Sequence, residues 1–287
     1  MRDFDYFEPR TVDEAVSLLV RYGEAAEVIA GGTDLLIRMQ MGTRRPRYLI
    51  NLKAIPVLDY IDGRDEIRIG ATTTLRAMAT SPELSKKCPP IVDVAQQFAS
   101  ITIANMGTLG GNLCNASPAA DTAAPLIVLS ARVKITGPDG NRTVPVEDLF
   151  IGPGKTVMKP DEILTEVQIP VPPADAKWAY IKYGIRSVSD LAITSVAMLV
   201  NIENGIFTDA RIALGAVAPT PMRARKVEEA LKGKEASEEN IDKAAELVKQ
   251  ECCPISDVRA SAEYRTQMSY VLTKRALMSC LNSKVGG

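Results

Sequence analysis

The spacing of apolar residues predicts alternating helices and strands in the first third of the chain. Apolar positions follow Thr11 at helical intervals, and the Thr11–Glu14 pair forms a capping box, so a helix is expected from there to Gly23. Further elements are expected as strands at 27–30, 48–52 and 66–70, and as helices at 33–40 and from Thr74.

The middle of the chain carries stronger sequence signals for where loops, helices and hairpins begin. Residues 100–117 are rich in Thr, Asn, Gly and Ser, which favours a loop. Ser117-Pro118 then predicts the start of a helix that continues to Leu129. A hairpin is expected from residues 132–136 and 142–146, and a further strand at 162–169.

The pattern changes after a proline-rich segment, residues 170–173, which is the predicted domain boundary. Long strands are expected at 178–186, 192–202 and 208–217, followed by helices at 223–232, 238–250 and 261–283. Strands that precede a group of helices predict an α+β arrangement, with an antiparallel sheet covered on one side.

Charge and hydropathy narrow the functional classes to which the protein can belong. The 287 residues include 34 basic and 35 acidic side chains, for a net charge of -1, and no basic stripe of the kind that binds nucleic acid. No apolar run reaches the length of a membrane span, and the N-terminus does not resemble a signal peptide. We therefore expect a cytoplasmic protein that contacts neither nucleic acid nor the membrane interior.

The absence of histidine excludes several kinds of active site. A Ser-His-Asp triad, a Cys-His pair, a histidine metal ligand and a histidine-tethered flavin are all impossible. The five cysteines form no CxxC pair and lack the spacing of an iron–sulfur or zinc site. We expect no catalytic side chain and no metal ligand in this chain, so its chemistry must come from a bound cofactor or another chain.

Two diglycine segments are the candidate binding elements. Gly31-Gly32 and Gly110-Gly111 each lie among small hydroxyl and amide residues. Glycine lets the backbone approach a ligand closely, and successive amides in such a turn can bind an anion. Neither segment matches the usual dinucleotide or P-loop pattern. We expect the two loops to converge on one diphosphate, with amide donors from both and no basic residue required.

These motifs resemble the medium, flavin-binding subunit of the xanthine dehydrogenase and aerobic carbon monoxide dehydrogenase family. The resemblance begins with a Thr-Val-Asp-Glu-Ala helix start and covers the chain. It rests on the following segments: Ala30 to Asp34, Thr108 to Asn112, Ala116 to Pro118, Asp121, Lys182, Arg186 and Asp190 to Ala192.

The resemblance implies a specific α+β architecture. The flavin-binding domain would be of the vanillyl-alcohol-oxidase type and span residues 1–172, in two subdomains of roughly 1–55 and 56–172. A C-terminal α+β domain with a three-stranded antiparallel sheet and helices would span 173–287. Non-covalent FAD would lie in a cleft between the glycine loops.

The residues implied to bind FAD come from both loops and from later positions. They are Val28, Ile29, Ala30, Gly31, Gly32, Thr33, Asp34, Leu35, Thr108, Gly110, Gly111, Asn112, Asn115, Ala116, Asp121, Leu164 and Lys182. Asp121 would serve ribose hydroxyls, and Lys182 would lie near the flavin unless it is a solvated strand residue. Leu164 and Phe98 would flank adenine or simply pack in the core. A small buried thiol is favoured over a redox role for Cys114.

The implied function is electron transfer within a molybdenum hydroxylase complex. A large molybdopterin subunit would hydroxylate the substrate. A small subunit with [2Fe–2S] clusters would pass electrons to FAD on this chain and on to an external acceptor, in a dimer of heterotrimers. Two alternatives stay open: a free-standing FAD-dependent oxidoreductase acting on a small alcohol or enol, and a non-catalytic scaffold whose glycine loops are plain turns.

Overall fold

The N-terminal residues form a small parallel sheet in the computed structural model, which describes residues 3–186 and 190–282. Strands β1 (Asp5–Phe7), β2 (Ala26–Ile29) and β3 (Tyr48–Asn51) lie in the order β1-β3-β2. Helices α1 (Val12–Tyr22) and α2 (Leu35–Gln40) complete this unit.

The first helix begins and ends where the sequence predicts. The Thr11 hydroxyl accepts from the Glu14 amide at 3.1 Å, and the Glu14 carboxylate accepts from the Arg10 amide at 2.8 Å. Gly23, with a positive φ of 52°, ends the helix. The buried face of α1 packs against β2 and β3, which fixes where the turn after β2 emerges.

The second unit is a five-stranded antiparallel sheet with helices on one side. Its strands are β4 (Ile61–Asp62), β5 (Ile67–Gly70), β6 (Arg132–Gly137), β7 (Gly140–Pro145) and β10 (Ile163–Ile169). They lie in the order β4-β5-β10-β6-β7. A separate small hairpin consists of β8 (Phe150–Gly152) and β9 (Lys155–Thr156). The helices are α3 (Leu75–Ala79), α4 (Pro82–Lys87), α5 (Pro89–Gln96), α6 (Ile101–Met106), α7 (Leu109–Cys114) and α8 (Ala123–Val128).

The predicted loop at 100–117 is wrong, because α6 and α7 occupy most of it. Ser100 and Thr108 cap these helices: each side chain accepts from the amide three residues ahead. The predicted helix start at Ser117-Pro118 is also wrong. The Ser117 hydroxyl accepts from the Ala119 amide in a turn, and the helix begins only at Ala123.

The C-terminal unit is an antiparallel sheet covered by three helices. The strands are β11 (Lys177–Tyr183), β12 (Thr194–Glu203), β13 (Ile206–Gly215) and β14 (Met222–Arg223), and the helices are α9 (Arg225–Leu231), α10 (Glu238–Glu246) and α11 (Ala262–Asn282). The three long strands agree with the prediction, and β14 adds a two-residue edge strand that it missed. Residue 283, the last of the predicted final helix, lies outside the described residues.

The C-terminal sheet is buried on both faces. Val196, Met198 and Val200 of β12 pack against the C-terminal helices, whereas Ala197 and Leu199 join the core around α5 and α8. Alternate side chains of β12 thus pack in two different hydrophobic cores. Because β11 pairs with β12, this packing also fixes the position of β11 relative to the second glycine loop. None of the described helices combines the length and hydropathy that crossing a membrane requires.

Candidate functional site

A cleft of about 450 Å³ lies between the two N-terminal units. The turn after β2 forms one wall, α7 and the residues around it form another, and residues from the segment 156–164 complete the lining. The volume is typical of a site for a cofactor or small ligand. This cleft is therefore the candidate binding site.

Gly31 packs directly against the residues that lead into the second glycine loop. A Cβ atom on Gly31 would clash with the Met106 carbonyl and lie 2.9 Å from the Gly107 Cα atom, immediately before the second loop. Gly32 has a positive φ of 71°, a conformation that favours glycine. Any side chain at position 31 would push the loops apart, so the diglycine sequence is a condition for closing the cleft.

The first loop offers unused amide donors. Within the described part of the chain, no acceptor takes the backbone N–H groups of residues 31–35. Consecutive free amides in a tight turn form an anion-binding concavity. This loop therefore has the donors that a diphosphate requires.

The second loop differs from the expectation that its amides also point at the ligand. The Leu109 and Gly110 amides donate to Thr73 and Ala71 carbonyls at 3.0 and 2.9 Å. The Gly111 amide donates to the Thr108 hydroxyl at 3.1 Å. The prediction that both loops supply backbone donors is thus wrong for the start of α7, because those donors fasten the loop to the residues that follow β5.

The glycines of the second loop instead allow close packing. A Cβ atom on Gly110 would lie 2.8 Å from both the Cβ atom and the carbonyl oxygen of Ala71. The side-chain oxygen of Asn112, Oδ1, accepts from the amide and hydroxyl of Thr122 at 3.3 and 2.6 Å. These bonds orient the Asn112 side chain so that its nitrogen, Nδ2, is the atom available to donate to a ligand.

Most of the predicted FAD-binding residues meet in this cleft. Those lining it are Val28, Ile29, Ala30, Gly31, Gly32, Thr33, Asp34, Leu35, Thr108, Gly110, Gly111, Asn112, Asn115 and Leu164, together with Phe98. Three others, Ala116, Asp121 and Lys182, lie outside the lining. Ala116 is buried behind the second loop with a φ of 47°.

Asp121 and Lys182 form a buried ion pair that joins the second unit to the C-terminal sheet. The Lys182 Nζ atom lies 2.8 Å from Asp121 Oδ2, and both side chains are 11% exposed. Burial raises the pKa of Asp121, and the Lys182 ammonium opposes that rise. Asp121 Oδ1 is buried and has no partner within hydrogen-bond geometry among the described residues, and the buried Tyr180 hydroxyl belongs to its surroundings.

Cys114 lines the cleft as a neutral thiol. Burial raises its pKa to about 12, and its sulfur lies 3.8 Å from Met158 Sδ. The thiolate, which is the reactive form, is therefore strongly disfavoured at neutral pH. This agrees with a packing role for Cys114.

Sequence reasoning missed Arg38, which lies on α2 and lines the cleft. Its guanidinium Nη2 atom donates to Asn115 Oδ1 at 2.6 Å, a contact between residues 77 positions apart. The missed signal was the position of an arginine one helical turn beyond the first diglycine turn, where its side chain can reach back toward the second loop.

Two family models match the chain over most of its length. Residues 2–172 match the FAD binding domain in molybdopterin dehydrogenase, and residues 179–280 match the CO dehydrogenase flavoprotein C-terminal domain. The chain belongs to this family of FAD-binding oxidoreductase subunits.

Individual relatives agree with this assignment. The chain is 37% identical to the carbon monoxide dehydrogenase medium chain of Afipia carboxidovorans, over 96% of this chain and 95% of that one. It is 30% identical to the xanthine dehydrogenase FAD-binding subunit of Escherichia coli O157:H7, over 100% and 99%. The solved carbon monoxide dehydrogenase of Hydrogenophaga pseudoflava matches with a TM-score of 0.95 and 34% identity, covering 98% of each chain.

Proposed function

We propose that this chain is the FAD-binding electron-transfer subunit of a molybdenum hydroxylase complex. One observation carries the proposal: the two diglycine loops, distant in sequence, border one cleft in which residues 31–35 present unused amides, and Gly31 packs against the residues that lead into the second loop. FAD is an anionic dinucleotide, and its diphosphate fits such a set of donors.

The residues of the chain have distinct tasks in this proposal. The first glycine loop binds the diphosphate through its backbone. Phe98 and Leu164, which both line the cleft, offer apolar surface to the adenine. The Asn112 side-chain nitrogen is a donor beside the loop. We assign the ribose hydroxyl groups of the cofactor to Asp121, which lies outside the lining of the cleft in its pair with Lys182.

The bound cofactor would supply the exchange between one-electron and two-electron carriers. The chain's contribution is to hold it, exclude water from its buried part and leave an edge accessible. The Cys114 thiol is too weak an acid to act as a nucleophile at neutral pH. We therefore assign no acid–base or covalent step to this chain.

The proposal extends to the assembly. Relatives are named as medium chains or FAD subunits of dehydrogenases. We infer that this chain works in the cytoplasm with a small [2Fe–2S] subunit and a large molybdopterin subunit, as a dimer of heterotrimers. We also infer that residues 1–172, with subdomains of roughly 1–55 and 56–172, hold the flavin, and that residues 173–287 form the second domain.

Co-expression with the two partner genes tests this function. The purified complex should contain one FAD per copy of this chain, show both flavin and iron–sulfur absorption, and lose its flavin bands when a substrate of the large subunit is added. A chain that purifies colourless and takes up no added FAD would contradict the proposal. Turnover of a small alcohol or enol by the isolated flavoprotein would favour the free-standing enzyme instead.

A further inference from the structure

The charges along the cleft leave one cation without an acidic partner. Three basic side chains line the cleft: Arg38, Arg44 and Lys159. Arg44 lies 3.4 Å from Glu27, and Lys159 lies 3.6 Å from Asp139. Within residues 3–186 and 190–282, Arg38 forms no ion pair. Its guanidinium donates a hydrogen bond to the neutral side-chain amide of Asn115.

The structure also holds Arg38 in place. Its backbone carbonyl accepts from the Thr43 amide, the Thr43 hydroxyl and the Arg44 amide, at 3.0, 3.1 and 3.2 Å. At the other end, Asn115 Oδ1 holds one guanidinium nitrogen at 2.6 Å. A guanidinium has five N–H donors, so the bond to Asn115 leaves most of them available.

Most backbone donors of the second loop are already used inside the protein. The Leu109, Gly110 and Gly111 amides donate to Thr73, Ala71 and Thr108, so the backbone donors for an anion come mainly from the first loop. Neutral amides bind a diphosphate but do not cancel its two negative charges. Arginine matches phosphate oxygens in a bidentate geometry and keeps its charge at all accessible pH values.

We propose that Arg38, oriented by Asn115 across the cleft, is a diphosphate-binding residue of this chain. The inference rests on the proposed FAD function and adds to it the charged group of the site. It replaces the expectation that backbone amides of the two loops would bind the diphosphate without any basic residue.

The test compares Arg38→Met with Arg45→Met in the full chain freed of flavin. Arg45 is a matched control, because it is an exposed arginine that does not line the cleft. Among the residues that the structure describes, its side chain donates only to the nearby Gly42 carbonyl. FAD affinity is measured by quenching of flavin fluorescence at low and high salt. Riboflavin, which has no phosphate, is titrated in parallel.

Arg38→Met should weaken FAD binding about tenfold to a hundredfold, as expected for lost charge-assisted hydrogen bonds. It should leave riboflavin affinity unchanged and reduce the salt dependence of FAD binding. Arg45→Met should bind both ligands as the unmodified chain does. Arg38→Lys should recover part of the affinity, and Asn115→Ala should produce a smaller loss because the charge remains.

Two results would overturn the inference while leaving the FAD function intact. One is unchanged FAD affinity in Arg38→Met. The other is an equal loss of FAD and riboflavin, which would show that Arg38 only shapes the cleft. Failure of the unmodified chain to bind FAD would instead refute the proposed function, and this inference with it.

Discussion

Asp121 and Lys182 form an ion pair between the turn that follows the second glycine loop and strand β11, with 2.8 Å between the charged atoms. The carboxylate belongs to the N-terminal half and the ammonium to the C-terminal sheet, so the pair connects the two halves beside the cleft. Because the pair is buried, removal of either charge would leave the other buried without compensation.

Lys182→Met should destabilise the chain, because it leaves the Asp121 carboxylate buried without its cation. A loss of roughly 3 kcal/mol in the free energy of unfolding is expected for breaking a buried pair. Urea unfolding of the flavin-free chain measures this. The double variant Lys182→Met with Asp121→Asn should lose less than the sum of the two single variants, and simple additivity would show that the pair contributes nothing.

Gly31→Ala should abolish FAD binding, because its methyl group would clash with the Met106 carbonyl and separate the glycine loops. We expect at least a hundredfold loss of affinity, measured by flavin retention and titration, since the walls of the cleft would no longer meet. Gly152→Ala is the control, since a Cβ atom there meets no atom within 4 Å and its backbone is not in the left-handed region. FAD bound tightly by Gly31→Ala would show that the loop contact is dispensable.

Thiol labelling should separate the cysteines by environment. Burial raises the pKa of Cys114 to about 12, so almost no thiolate forms at pH 8, whereas Cys253 is exposed. Brief treatment with iodoacetamide should modify Cys253 first and leave Cys114 unlabelled, as located by peptide mass spectrometry. Early labelling of Cys114, which is half-buried in the cleft wall, would contradict a raised pKa of its thiol.

Acid stability should depend on Asp257, which holds the segment before α11. Burial opposes its ionisation, but the amides of Arg259 and Ala260 and the Arg265 guanidinium outweigh burial and lower its pKa to about 2. The unfolded chain would have an ordinary value near 3.9. Since the folded pKa is the lower one, this contribution is complete above pH 4 and is lost as pH falls toward 2.

Thermal unfolding at several pH values tests this contribution. The chain should melt at a higher temperature than Asp257→Asn at pH 5, and the difference should shrink steadily between pH 4 and pH 2. A difference that stays constant over that interval would mean that the carboxylate is not selectively stabilised in its charged form.

Local patterns in the sequence predict the regular elements well. The cap at Thr11, the alternation of the long C-terminal strands and the proline-rich segment each have a local physical cause, and the corresponding helix and strands are present. The segment 100–117 does not form the predicted loop, because Ser and Thr favour helix caps as well as loops, and Ser100 and Thr108 cap helices.

The remaining features of the site depend on distant contacts. No local pattern indicates that the Leu109 and Gly110 amides would donate to residues following β5, or that Arg38 would reach Asn115. The sequence therefore located the two walls of the cleft but could not say which wall supplies backbone donors. That division arises from packing between segments dozens of residues apart.

The contact between Gly31 and the Met106 carbonyl also sets an order of events during biosynthesis. A growing chain that has released only its first glycine turn from the ribosome lacks the opposing wall, and the lining of the cleft is complete only after Leu164 has emerged. Flavin loading must therefore follow translation of more than half of the polypeptide, and products truncated before that point should remain colourless.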